Sequence, residues 1–183
     1  MAPVASTGMR RGELLALKWK DVNFAESTLY VRRACIEVAG KGIIETEPKT
    51  ARGRRSIHLP PLASEVLKSH RTKQLEAQLR AEIWYEHDLI FWTSRGTPFI
   101  ATYKQGVFKA LLKKANLPDI RFHDLRHSAA TLLLSMGTHP KVVQELLGHS
   151  QISMTMDIFS HVMPTMQKEA MTKLNETLQQ KSQ

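Results

Sequence analysis

Arg10 and Arg126 are the residues of this sequence best suited to chemistry on a phosphate, because each guanidinium is a permanently charged planar fork able to hold two anionic oxygens. Each has a polar neighbour three residues away, Glu13 after Arg10 and His123 before Arg126, so on a helix each pair shares a face. Further cations cluster in Pro48-Lys49-Thr50-Ala51-Arg52-Gly53-Arg54-Arg55, and a further histidine, His149, follows Gly148. Breaking a phosphodiester without a metal requires fixed cations around the two non-bridging oxygens, a nucleophile in line, and an acid for the departing 5′ oxygen. His123 and His127 have the four-residue spacing of two zinc ligands on a helix. The Glu of His-Glu-x-x-His is missing between them and no Cys or third ligand is near, so no metal site is expected and His127 reads as a packing or capping residue.

Composition agrees with a polyanionic partner. Lys and Arg number 26 against 17 Asp and Glu, a formal charge of +9, and the pI is near 9.8. At 183 residues the chain has the length of one domain. The single Cys35 excludes an intramolecular disulfide and fits a reducing compartment. No run of apolar residues is long enough to span a membrane, and the first six residues lack the apolar core of a signal peptide, so the protein is expected to be soluble and cytoplasmic.

The elements that must position these residues follow from periodicity. Thr7 is placed to cap a helix carrying Leu14, Leu15 and Leu17 and ending near Trp19. The β-branched and aromatic stretch from Thr28 to Val38 predicts a strand, with Gly40-Lys41-Gly42 as a turn and further strands over Ile43 to Thr46 and Ser56 to Leu59, making a small antiparallel sheet. The cationic run at Lys49 is then the tip between its last two strands. Pro60-Pro61 open a helix with Leu62, Val66 and Leu67 on one side. The second half reads as helical: one helix bearing Phe108, Leu111 and Leu112, one from His123 to Met136 closed by Gly137, and one from Pro140 to Leu147 closed by Gly148. Another begins at Ser153 with Met154 and Met156 as packing residues, and a last begins at Pro164 with Met166, Ala170, Leu174 and Leu178 as an apolar stripe. That stripe either packs on the chain's own core or docks on a neighbouring protomer.

Three motifs together, Thr7-Gly8-Met9-Arg10-Arg11-Gly12-Glu13-Leu14, His123-Asp124-Leu125-Arg126-His127 and the run from Gly148-His149-Ser150 to Phe159, resemble the catalytic domain of the tyrosine recombinases, the phage and transposon integrases. The resemblance extends from Thr7 to about Val162. It implies an α+β fold, mainly helical, with a small three-stranded antiparallel sheet. It also implies site-specific DNA recombination, in which Arg10, His123, Arg126 and His149 hold the scissile phosphate and Glu13 supports them. Lys49 matches the lysine that protonates the 5′ leaving group, and Thr50, Arg52, Arg54 and Arg55 are expected to face DNA. The implied partners are double-stranded DNA and identical protomers on that DNA, a tetramer in the family and weak or monomeric for an isolated domain, with no cofactor and no membrane. The expected setting is a bacterial or phage-encoded mobile element, with the protein associated with the nucleoid. Residues 1–183 are expected to form a single catalytic domain, with 6–163 the recombinase core and 164–183 a C-terminal helix, without the core-binding and arm-binding domains that usually precede it.

Phe159, ten residues beyond His149, stands where the resemblance implies the nucleophilic tyrosine. Family members attack DNA with a phenol oxygen and leave a 3′ phosphotyrosyl link. Phenylalanine has the ring and not the oxygen, and Tyr30, Tyr85 and Tyr103 lie outside the motif. This copy is therefore expected to bind DNA without cutting it. The exchange is either engineered or native, the latter marking a regulatory or decayed homologue. A basic helical DNA-binding protein of another kind is the third reading, and it requires the Arg, His and Lys motifs to coincide by accident.

Overall fold

The structure, a computed structural model, describes residues 7–48, 53–99 and 101–180. A short helix α1 (Arg11–Leu15) and a 3-10 turn (Trp19–Asp21) lead into strands β1 (Val22–Asn23), β2 (Thr28–Val31), β3 (Ala34–Val38), β4 (Gly42–Thr46) and β5 (Arg55–His58). Helices α2 (Pro61–Arg80), α3 (Ala101–Lys114), α4 (Phe122–Ser135), α5 (Pro140–Leu147) and α6 (Ser153–Gln180) follow. The architecture is mainly helical with a small antiparallel sheet, as the residue pattern predicts.

The β-rich stretch from Thr28 to Val38 is two strands rather than one. In β2, Leu29 and Val31 alternate into the core, whereas β3 contains no buried residue, so the reason to stay in one sheet ends at Val31. β2 lies between β1 and β5 in an antiparallel three-stranded sheet, with Leu29 opposite Ile57. β3 and β4 form a separate hairpin, with Ile36 opposite Ile44. Ion pairs hold that hairpin to the 3-10 turn: Arg33 bonds the buried Asp21 and its Nε lies 3.2 Å from Glu45, which Lys18 also reaches at 2.7 Å.

The first helix begins later than expected. Its cap is Arg10, not Thr7: Arg10 is extended and its N–H donates to Glu13 Oε2 at 2.9 Å. The turn before it passes so close to α5 that a Cβ on Gly8, whose φ is +57°, would lie 2.3 Å from Leu147 Cδ2. α2 buries Leu67, as expected, but not the other two residues of its predicted face. Ala63, Ser64, Leu67 and Gln74 are buried while Leu62 and Val66 are exposed, because Gln74 accepts from Trp19 Nε1 at 2.7 Å and donates to the Leu89 carbonyl at 2.8 Å.

Two apolar clusters stand out among the described residues. Leu29, Val31, Ile57, Leu59, Leu67 and Ile90 surround the sheet, and Ala130, Leu134, Val143 and Leu147 join α4 to α5 and the start of α6. The helix that starts at Ser153 continues through Pro164 to Gln180, one element where two were predicted. Met154 and Met156 are exposed, and Thr155 between them is fully buried, so the inward face is the one the methionines leave. Ala170 and Leu174 are on the surface, away from the chain's own core. No helix among the described residues is long and apolar enough to cross a membrane.

Candidate active site

Five side chains from four parts of the fold converge beside the turn that joins α5 to α6. Arg10 precedes α1, Glu13 lies within it, Arg55 opens β5, Arg126 sits in the second turn of α4, and His149 follows the left-handed Gly148 that ends α5. Arg10 Nη1 donates to Glu13 Oε1 at 2.9 Å and its Nη2 to the Gly148 carbonyl at 3.0 Å. Arg55 donates to both Glu13 oxygens, at 3.1 and 2.9 Å, and through Nε to the Leu146 carbonyl at 2.7 Å. Arg126 Nη1 donates to the Gly8 carbonyl at 2.7 Å, while its Nη2 is buried with no partner among the described residues. His149 is buried, with Nδ1 2.8 Å from Thr155 Oγ1, and the buried Gln144 donates to its carbonyl at 3.3 Å.

The cluster carries three guanidinium charges against one carboxylate, and its titration reflects that imbalance. Burial, then the charges of Arg10 and Arg55, lower Arg126 to about 9 despite the opposing pull of Glu13. Burial and the positive charge of Arg126 and Arg10 lower His149 to about 4, so its imidazole is neutral at pH 7. Burial pushes the Glu13 carboxyl up, but the bonds and charge of Arg55 and the bonds from Arg10 outweigh it and hold the group below the ordinary carboxylate value. His123, in the first turn of α4, stands edge-on to His127 with ring centres 4.8 Å apart, and burial, His127 and Arg126 all lower its pKa. Beside the cluster opens a cleft of about 210 Å³ with Arg54, Lys141, Gln144 and His149 in its lining.

The structure thus brings together Arg10, Glu13, Arg126 and His149, with His123 close to Arg126. Lys49, Thr50 and Arg52 lie outside the described residues. Arg54 is exposed and paired with Glu47, as a cation facing a ligand can be. Arg55, expected to face DNA, has a side chain 6% exposed that bonds Glu13 and the Leu146 carbonyl. Phe159 is half-buried, packed against the cluster formed by α4 and α5 together with Leu133, Leu146 and Ile158. Among the described residues no group of three or more His, Cys, Asp or Glu could hold a metal ion. Thr155, Gln144 and the Gly8 carbonyl have parts in the site that residue patterns did not reveal. Only Thr155 carried a local signal, a hydroxyl in the first turn of a helix that begins just after His149.

An arginine and histidine cluster of this kind, set between a small antiparallel sheet and a helical half, is a site suited to holding an anionic group such as a phosphate. The chain belongs to the phage integrase family, whose model matches residues 3–166. It is similar to a tyrosine recombinase XerC-like protein of Caldanaerobacter subterraneus subsp. tengcongensis, at 38% identity over 182 residues that cover 93% of this chain and 46% of that protein. The ICEBs1 integrase of Bacillus subtilis is 31% identical over 172 residues, covering 94% of this chain and 46% of its own length. Among solved structures, a Tyr-to-Phe form of the Tn1549 transposon integrase in complex with transposon right end DNA superposes with a TM-score of 0.80 at 26% identity, over 95% of this chain and 57% of that one. XerA recombinase gives 0.69 at 27% identity, over 93% and 55%. The chain spans about half the length of the relatives it matches.

Proposed function

We propose that this chain is the catalytic domain of a site-specific DNA recombinase that cleaves and rejoins DNA through a 3′ phosphotyrosyl intermediate, and that Phe159 leaves this copy able to bind DNA but not to cut it. The observation that carries the reading is the buried Nη2 of Arg126, which has no partner among the described residues, in a cluster with excess positive charge. An orphaned buried donor costs about 1–3 kcal/mol, a cost that an arriving anion removes. A phosphodiester oxygen supplies both the acceptor and the missing negative charge. In this reading Arg10 and Arg126 clamp the non-bridging oxygens, and Glu13 keeps the Arg10 fork aimed. A neutral His149 whose Nδ1 accepts from Thr155 presents an Nε2–H to the same phosphate, with His123 as a further donor. Lys49 would protonate the 5′ oxygen as it leaves.

Phe159 occupies the position of the phenol. The DNA complex of the Tn1549 integrase was obtained with a Tyr-to-Phe form, which supports the view that the exchange spares DNA binding. Protomers assemble on the DNA through the exposed face of α6 around Ala170 and Leu174.

The test compares this chain with Phe159→Tyr on a nicked duplex carrying the ends of its parent element, resolved on a denaturing gel. The tyrosine form is expected to give a covalent adduct and the phenylalanine form none. If neither forms one although both bind the duplex, the recombinase reading fails in favour of a DNA-binding regulator.

A further inference from the structure

We propose that Arg55 is a positioning residue, a strap that fixes the α5–α6 turn bearing His149 relative to Arg10, and that it does not touch DNA. The proposal rests on the reading of the site given above.

The guanidinium of Arg55 has five N–H groups. Two go to the oxygens of Glu13 in a parallel fork, one goes from Nε to the Leu146 carbonyl, and one points at the Gly53 carbonyl at 3.4 Å. At most one is left, too few for a bidentate grip on phosphate. The Glu13 oxygens that accept from Arg55 also accept from Arg10, through Nη1 and the main-chain N–H, each at 2.9 Å. Arg10 in turn holds the Gly148 carbonyl at 3.0 Å. A closed circuit therefore runs from Arg55 through Glu13 and Arg10 to Gly148, and returns through Leu146 to Arg55.

The two carbonyls in that circuit belong to the last turn and cap of α5, where a helix leaves acceptors unsatisfied and its dipole is negative. Two cations close that end, and the residue immediately after the circuit is His149. Without Arg55, Leu146 loses its partner, Glu13 keeps only Arg10, and the turn is free to slide relative to Arg10. Lysine supplies the charge but cannot span Glu13 and Leu146 at once, because it has one nitrogen where arginine has three.

The decisive comparison is Arg55→Lys and Arg55→Gln, each made in the chain as it stands and in the Phe159→Tyr form, with the thermal midpoint of each recorded. The strap predicts that both changes slow covalent-adduct formation about 100-fold, because a displacement of about 1 Å at a reacting centre has that cost. It also predicts that the salt dependence of duplex binding stays as in the parent. A fall of about 0.9 in the log–log salt slope for Arg55→Gln would mean that Arg55 neutralises a phosphate, and the proposal would be wrong. Parental adduct rates in Arg55→Lys would overturn it equally, since charge alone would then suffice.

A second readout does not depend on recombination. His149 is faced by Arg126 and His127 from α4, by Arg10 and by Arg55. Followed by imidazole NMR, its titration is expected to move up from its depressed value in Arg55→Lys, where the charge is kept and only the strap is lost. An unchanged titration there overturns the proposal. If the Phe159→Tyr parent forms no adduct, the recombinase reading has failed by itself and this titration alone decides the strap. Should Arg55→Lys not fold, Arg55→Gln decides: a slowed adduct with an unchanged salt slope supports the strap, and a slope lowered by about 0.9 overturns it.

Discussion

Arg126 has one N–H group on the Gly8 carbonyl and an Nη2 with no partner among the described residues, and His149 beside it is held neutral by burial and by the same surplus of positive charge. These two residues make the site sensitive to acid in a calculable direction. The folded His149 titrates at about 4 against an ordinary 6.5, so as pH falls the unfolded chain takes up its proton first. Stability is then complete above pH 6.5 and is lost between 6.5 and 4, by about 3 kcal/mol if the whole shift is expressed. Glu13 acts in the same sense lower down, since its depressed pKa contributes stability above its unfolded value that is lost as pH falls through the folded one. The urea midpoint of the protein is expected to drop between pH 7 and 4.5, and to drop less in His149→Asn. Equal pH dependence in the two would assign the acid sensitivity elsewhere. At this scale much of the site was legible, because Arg10, Glu13, Arg126 and His149 sit in short motifs whose chemistry is local. Arg55 was legible only as a charge in a cationic run, because its bond to the Leu146 carbonyl, 91 positions away, leaves no mark in the local sequence.

Among the elements, the turn before α1 controls more than its length suggests. Its Gly8 carbonyl orients Arg126, and its Cα lies where only glycine fits against Leu147. Alanine there meets both a left-handed backbone and a side chain already in place, a cost of about 3 kcal/mol. Gly8→Ala is expected to lower the urea midpoint accordingly and to weaken duplex binding beyond what the lost stability explains; binding that stays parental in the fraction still folded would show that Arg126 is aimed by something else. The helices from α3 to α5 were readable because Gly137, Pro140 and Gly148 punctuate them in sequence. The strands were not fully so. Composition marks Thr28 to Val38 as β, but whether it stays in one sheet depends on which residues are buried, and α2 shows the same limit in placing Gln74 rather than Leu62 inside.

For the whole molecule, the formal charge of +9 raises the question whether binding is a site or a diffuse field. The log of the duplex association constant is expected to fall linearly with the log of salt concentration, by about 0.9 for each phosphate neutralised. Arg126→Ala is expected to remove about one such unit and to weaken binding severely, whereas loss of an exposed, peripheral cation such as Arg11 leaves affinity within a factor of about two. If the two substitutions are equivalent, a general basic surface accounts for binding. Removal of everything after Val162 is expected to leave single-protomer binding intact and to abolish higher assemblies in gel-shift titrations; assemblies that persist would place the protomer contact elsewhere.

The continuity of α6 through Pro164 has a mechanical meaning. A helix of 28 residues is a rod about 42 Å long, with Phe159 about 9 Å from its start. Tilting the rod by about 5° at Ser153 carries the far end through nearly 4 Å and residue 159 through just under 1 Å, a displacement comparable to the tolerance of an in-line attack. Whatever grips the distal turns of this helix therefore holds a lever whose short arm carries Phe159, and on the proposed reading assembly and chemistry would be geared together by a single piece of secondary structure.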